Sequence, residues 1–95
     1  MVIDDYIVET LMADLVGHDK MPSAFIVYLY LYWRSAASRR RSARASHQEI
    51  ANDTGLSKSA VQAAVRNLVR RKLLRTERES ITAVPEHFVL RSWKR

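Results

Sequence analysis

The stretch from residue 46 to residue 74, SHQEIANDTGLSKSAVQAAVRNLVRRKLL, constrains the fold more than any other part of the chain. It opens with Ser46 and, three residues later, Glu49, the spacing of a capping box in which each side chain satisfies the other residue's free backbone N–H. A helix is expected to start here and run to about Thr54, with Ile50 and Ala51 facing inward. Gly55 then supplies the positive φ that ends a helix in a sharp turn, and Leu56 anchors that turn. Ser57 caps a second helix, in which Val61, Ala64, Val65 and Leu68 fall at i, i+3, i+4 and i+7, the period of one buried face. The opposite face carries Lys58, Ser59, Gln62, Arg66 and Arg70, donors suited to phosphates and base edges.

Ile50, Ala51, Gly55, Leu56 and Val61, within a segment that continues through TGLSKSAVQAAVRNLVRRKLL, resemble the helix-turn-helix of small bacterial and phage transcriptional regulators, in its winged form. The resemblance covers about a third of the chain. It implies a fold that is mainly α with a small β-hairpin, and a second helix, 57–71, that enters the major groove of double-stranded DNA. An αα-hairpin that only packs is the alternative reading of the same pattern.

Ninety-five residues make a single domain, 1–95, large enough to fold without metals or disulfides. Its helix-turn-helix is expected over 46–72 and its wing over about 73–90. The absence of cysteine excludes a thiol nucleophile, a disulfide framework and a cysteine zinc site. The start MVIDDYIVET has neither the basic region nor the small-residue cleavage site of a secretion signal. The longest apolar run, Ala24 to Trp33, falls short of the ~20 residues that cross a bilayer as a helix. A cytoplasmic, nucleoid-associated protein with no membrane partner is expected.

Net charge is +6, unevenly spread. Residues 1–33 hold five acids (Asp4, Asp5, Glu9, Asp14, Asp19) against Lys20, whereas residues 34–95 hold fifteen bases against five acids. Such asymmetry suits a cationic face that attracts a polyanion, although a basic surface that is merely solvated has the same composition.

Ile3, Ile7, Leu11 and Leu15, joined by Val8 and Met12, predict a helix over 3–16, closed by Gly17. GHDKMP connects it to an element opened by Pro22. His18 stands alone there, without partners for metal or catalytic work. Residues 23–33, SAFIVYLYLYW, have strand-like composition, yet a helix is expected because the helix-turn-helix needs one to cover its inner side. Tyr28, Tyr30 and Tyr32 cannot all be internal, and Tyr28 with Tyr32 is expected to pack on the first helix or on another subunit. RSAASRRRSARA, 34–45, is read as a brief continuation of that helix followed by a mobile basic loop, with Arg39, Arg40 and Arg41 offered to phosphates or simply solvated.

After Leu74 the period changes, and LLRTERES and ITAVPEHFVL predict two strands around a turn near Glu79 and Ser80. Pro85 places the second at an edge or ends it near Val84. Glu77 and Glu79 flank Arg78 where many DNA-binding wings are basic, so either Arg78 alone reaches DNA or the wing turns away. Glu86 and His87 are expected to be exposed. Trp93 is expected to cover the core, and Arg91, Lys94 and Arg95 to add charge.

Binding, not catalysis, is the expected function, because no nucleophile, base and orienter assemble from these residues. Lys58, Ser59, Gln62 and Arg66 are expected to face base edges and nearby phosphates, with Gln62 suited to adenine and Arg66 to guanine. Arg70, Arg71 and Lys72 are assigned to the backbone or to solvent, and Arg78 to the wing contact. Free N–H groups at Ser46, His47 and Gln48 add a phosphate site. No cofactor is expected. The alternative reading is a winged-helix protein-interaction or replication-initiation module. A single recognition helix reads one half-site, so a homodimer is expected, with the first helix (Ile3, Ile7, Leu11) as its seam unless all of it packs internally.

Overall fold

In a computed structural model that describes residues 2–94, the first helix begins after Asp4, so Ile3, expected in it, lies outside, and Ile7, Leu11 and Leu15 follow one another at four-residue spacing within it. The charge expected from Arg95 lies outside the described residues. On an α-helix of 3.6 residues per turn this spacing drifts off one face. The N-terminal helix takes wider turns instead, with π-helical segments at Ile7–Leu11 and Ala13–His18 and i→i+5 bonds such as Asp19 N–H to the Asp14 carbonyl, 2.8 Å. Ile7, Leu11 and Leu15 are all buried. Two expectations are corrected here. Gly17 lies inside the helix, and the left-handed residue that follows is Lys20, φ 53°. Ile7 and Leu11, offered as a dimer seam, are consumed by the chain's own core, while Ile3 remains exposed.

Pro22 sits in the first turn of α1, Pro22–Arg34, so the aromatic run is helical as expected. Ala24, Val27, Tyr28 and Leu31 form its buried face, and α1 packs chiefly against the later helix Lys58–Arg70. Tyr28 and Tyr32 are both buried. The Tyr28 hydroxyl meets the need of a buried polar tip by donating to the Leu90 carbonyl, 2.9 Å, and burial pushes its pKa up. Trp93 packs against the core as expected and stacks on Tyr6, with centroids 4.6 Å apart.

The basic stretch that follows is not a mobile loop. Residues 35–41 turn, Arg41 adopts φ 51°, and Ser42–Arg44 forms strand β1. The Arg41 carbonyl accepts the Val89 N–H at 2.8 Å, and the Arg40 guanidinium lies 5.0 Å from the centroid of Phe88. Two further strands, β2 (Leu74–Glu77) and β3 (Glu86–Val89), complete an antiparallel sheet of order β1-β3-β2. The expected hairpin is therefore part of a three-stranded sheet. Its second strand begins after Pro85 instead of ending near Val84, and the Pro85 carbonyl accepts the Ala45 N–H at 3.2 Å. Because β3 is the central strand, the period of two turns His87 and Val89 inward. His87 is fully buried and Glu86 half-buried, which corrects the expectation that both are exposed.

Helices α2 (His47–Thr54) and α3 (Lys58–Arg70) lie where the caps place them. Ser46 Oγ accepts the Glu49 N–H at 3.0 Å and Ser57 Oγ accepts the Ala60 N–H at 3.1 Å. The Glu49 carboxylate does not complete the capping box. It pairs with Arg34 Nη1 at 2.7 Å and so ties α2 to the end of α1. Gly55 takes φ 83°, and Val61, Ala64, Val65 and Leu68 are buried as their period requires. Asn67 is buried with them, and its Nδ2 donates to Asp19 at 3.0 Å, while Arg71 Nε lies 3.3 Å from the same carboxylate. Arg71 is thus a structural cation, not a free one.

Candidate nucleic-acid interface

The starts of α2 and α3 and the loop 78–85 surround one open groove of about 320 Å³. Ser46, His47 and Gln48 form one wall, Lys58 and Gln62 another, and Arg78 with residues 81–85 the third. The cap at Ser57 sets the first turn of α3 here, and successive turns expose Lys58, half-expose Gln62 and expose Arg66 along one face. Arg78 Nη1 donates to the Ile81 carbonyl at 3.2 Å, which folds the loop over the groove's edge.

The groove is cationic. Arg34, Arg44, Arg71, Arg75 and Lys94 are ion-paired with Glu49, Glu86, Asp19, Glu77 and Asp4 respectively. Lys58, Arg66 and Arg78 have no ion pair among the described residues. Their field reaches His47, whose pKa is pushed below the ordinary imidazole value first by burial and then by Arg78, Lys58 and Arg66. His47 Nε2 is buried without a hydrogen-bond partner among the described residues. The arrangement presents unneutralised donors and positive charge to an anion, with Gln62 between them as an amide that both donates and accepts.

The nine residues predicted for this role fall into separate places. Lys58, Gln62 and Arg78 line the groove, and Arg66 acts on it from the next turn of α3. Ser59 is exposed at the start of α3, its hydroxyl 3.2 Å from that of Ser57. Arg70 is exposed but donates to Asn67 Oδ1, on the side held by Asp19. Arg39 is exposed on the turn before β1, Arg40 covers Phe88, and Arg41 lines a different cavity with Tyr32, Arg91 and Lys94. The carboxylates of the wing stand outside the groove lining. Glu77 pairs with Arg75, and Glu77, Glu79 and Glu86 line a mixed-charge cleft with Arg40, Arg44 and Arg78.

Sequence reasoning misses two features of the site. One is His87, which lies beneath His47 and which local pattern puts on the surface. Starting the strand after Pro85 sets His87 on the same inward face as Val89. The other is Ile81, 91 % exposed beside the groove, for which the sequence carries no signal beyond its position near the predicted turn.

Among the described residues no helix is long and apolar enough to cross a membrane. Among curated proteins and among solved structures, no match to the chain was found. A family model described as a helix-turn-helix domain matches residues 19–74, from the connector before α1 to the first residue of β2. That match spans more than half of the chain, and its two capped helices, joined at Gly55, are followed by an antiparallel wing, so the chain belongs to the helix-turn-helix domain family in its winged form.

Proposed function

We propose that the chain is a sequence-specific regulator of transcription, a single winged domain that binds double-stranded DNA by laying α3 in the major groove. The observation that carries this reading is the convergence of Lys58, Arg78 and Gln62 on one groove, with Arg66 acting on it from α3. In this reading Gln62 and Arg66 meet base edges, each bidentate contact contributing about 1–3 kcal/mol of discrimination. Lys58 and Arg78 meet phosphates, as do the free N–H groups at the start of α2, where the helix dipole also favours an anion. The role is binding, without a cofactor and without catalysis, and it is exercised in the cytoplasm on nucleoid DNA.

Fluorescence anisotropy of the full chain with random and genomic duplexes tests the reading. Six to ten phosphate contacts weaken binding by ~10³ or more between about 50 and 200 mM salt, and a regulator retains tight binding to a selected sequence. No duplex binding at ~50 mM salt overturns it. Capture of a protein partner in that case supports the interaction or replication-initiation role of the same fold.

A further inference from the structure

Arg41 and Arg91 meet at a cavity of about 330 Å³ that shares no lining residue with the groove beside α3. The sheet separates the two. β1 and β3 run antiparallel, so Ser46 and Pro85 stand at the groove while Arg41 and Arg91 stand at the other end of the same strands. At ~3.3 Å per residue, the path from Arg41 to Ser46 spans roughly 16 Å. Tyr32, in the last turn of α1, and Ala36, just past it, close one side of the cavity, and Asp4 and Lys94 stand opposite.

Three polar groups at this cavity lack partners. Arg41 and Arg91 are half-buried, yet neither guanidinium has an ion pair or a hydrogen bond among the described residues. Tyr32 is only 5 % exposed, and its hydroxyl has no hydrogen-bond partner among the described residues either. Polar groups so placed are ordinarily satisfied, and here the partner has to come from outside the chain. Lys94 is already used, because its Nζ lies 3.2 Å from Asp4 Oδ2 while Asp4 Oδ1 accepts the Tyr6 N–H at 3.0 Å. The Asp4 charge is thereby offset, and the cavity keeps the charge of two guanidiniums. Both charges reach the Tyr28 hydroxyl, one turn of α1 before Tyr32, whose pKa burial and Tyr32 raise and Arg91 and Arg41 pull back. The main chain of Arg41 is held on both sides, its N–H donating to the Ser38 carbonyl at 3.1 Å and its carbonyl accepting from Val89, so its side chain starts from a fixed base.

We propose that this cavity is a binding site for a small phosphate monoester. Each guanidinium offers a planar fork of N–H donors suited to paired oxygens. A single carboxylate has two oxygens and fills one fork. A phosphate monoester has three free oxygens and a charge of about −1.5 to −2, which matches two forks and the Tyr32 hydroxyl together. Val2 and Ala36 set aliphatic carbon beside them for the esterified group. The phosphate belongs to a small molecule and not to a duplex, because a duplex lying on α3 meets the opposite end of the sheet. The site does not depend on what α3 binds, so failure of either reading leaves the other standing.

Heteronuclear NMR of the full chain at about pH 7.5, titrated with inorganic phosphate against sodium chloride of matched ionic strength, tests the site. The expected result is a set of shifts at the Ala36 amide and the Arg41 and Arg91 side-chain N–H groups that saturates by about 10 mM phosphate, with acetate roughly ten-fold weaker or more. Arg41→Gln and Arg91→Gln each weaken phosphate by about ten-fold or more, and Tyr32→Phe by several-fold, in chains whose spectra keep the dispersion of the wild type. Lys20→Gln, beyond the other end of α1, removes an equal charge without that effect. Shifts that only follow ionic strength overturn the proposal. So does acetate bound as tightly as phosphate, or phosphate binding that survives both arginine substitutions. Displacement of phosphate from the cavity by a duplex assigns the two guanidiniums to the DNA backbone and overturns it as well.

Discussion

The imidazole rings of His47 and His87 lie nearly parallel, with centroids 6.2 Å apart and an interplanar angle of 22°. The inner ring is fully buried between two fixed partners. His87 Nε2 is 3.0 Å from the Ala45 carbonyl and Nδ1 is 2.9 Å from the Thr76 hydroxyl. A carbonyl can only accept, so Nε2 carries the proton and Nδ1 accepts from Thr76, and the neutral ring satisfies both bonds. A second proton on Nδ1 reverses the Thr76 bond, because the hydroxyl can accept as well as donate, and places a charge beneath a cationic groove.

A dependence of stability on pH follows. Burial pushes the His87 pKa down, more than the Ala45 bond raises it, and the field of His47, Arg78 and Arg34 lowers it further. Between the lowered folded value and the ordinary ~6.5 of the unfolded chain, the unfolded state holds more protons, so stability is lost as pH falls below ~6.5. Asp19, held down by its bond from Asn67, and Glu86, held down by Ser42, lose their contributions only below ordinary carboxylate values near ~4. Urea midpoints at pH 7.5 and about 5.5 should therefore differ, with the lower midpoint in acid, and His87→Gln should flatten that slope. Equal midpoints in the wild type rule the linkage out.

The outer ring, also lowered by burial and so adding to the same loss in acid, couples to the ligand as well. The cations that depress the His47 pKa are Arg78, Lys58 and Arg66, the side chains assigned to DNA. A phosphate in the groove offsets that field, so the bound state has the higher pKa and takes up protons on binding. Duplex affinity at constant salt should rise several-fold as pH falls from about 7.5 to 6, and His47→Gln should remove the rise. A wild-type affinity independent of pH shows that no anion approaches the ring.

Local signals in the sequence suffice for α2 and α3, because caps and helical periods act over a few residues. Ser46, Ser57 and Gly55 each do in the structure what their residue types dictate. Where a partner distant in sequence competes, the local reading fails. Glu49 leaves the capping box for Arg34, a salt bridge that no spacing rule announces. Ser42–Arg44 has no alternation of its own and becomes a strand only because β3 offers it an edge. Charge alone predicts a mobile basic loop, yet Arg40 is placed by an aromatic ring forty-eight residues away. Likewise, the stripe on the N-terminal helix is wide enough to suggest a partner, and most of that partner is the chain's own core.

Three backbone positions carry opposite expectations. Gly55 sits at φ 83° with open space where a Cβ would project, so Gly55→Ala suffers from conformation alone and should cost about 1 kcal/mol. Gly17 lies in a helix with the same open space and no positive φ, so Gly17→Ala should stabilise by about 0.4–1 kcal/mol. Lys72 ends α3 at φ 60° in a Schellman turn, where the Leu73 N–H meets the Leu68 carbonyl at 2.9 Å and the Lys72 N–H meets that of Val69 at 3.0 Å. Lys72→Gly should therefore stabilise by roughly 0.5–1 kcal/mol although glycine is ordinarily the less stable residue in a helix. Denaturant midpoints at pH 7.5 check all three, and a destabilised Lys72→Gly contradicts the assignment of strain.

Side chains on the groove should separate into two kinds by how their loss responds to salt. Lys58 and Arg78 are point or forked cations at the groove's edges, and a phosphate contact is independent of sequence. Lys58→Ala or Arg78→Ala should weaken all duplexes alike and lower the slope of log affinity against log salt by about one contact each. Gln62 lies at the centre of the exposed face of α3, with Arg66 one turn on, and an amide has no charge to release counterions. Gln62→Ala should leave the salt slope unchanged and reduce the preference for the selected site by about 1–3 kcal/mol, relaxing one base position. Arg66→Ala should do the same at a second position, with a smaller slope if the guanidinium also touches a phosphate. Identical salt slopes and an equal loss on random and selected duplexes for all four variants would mean that α3 does not read bases.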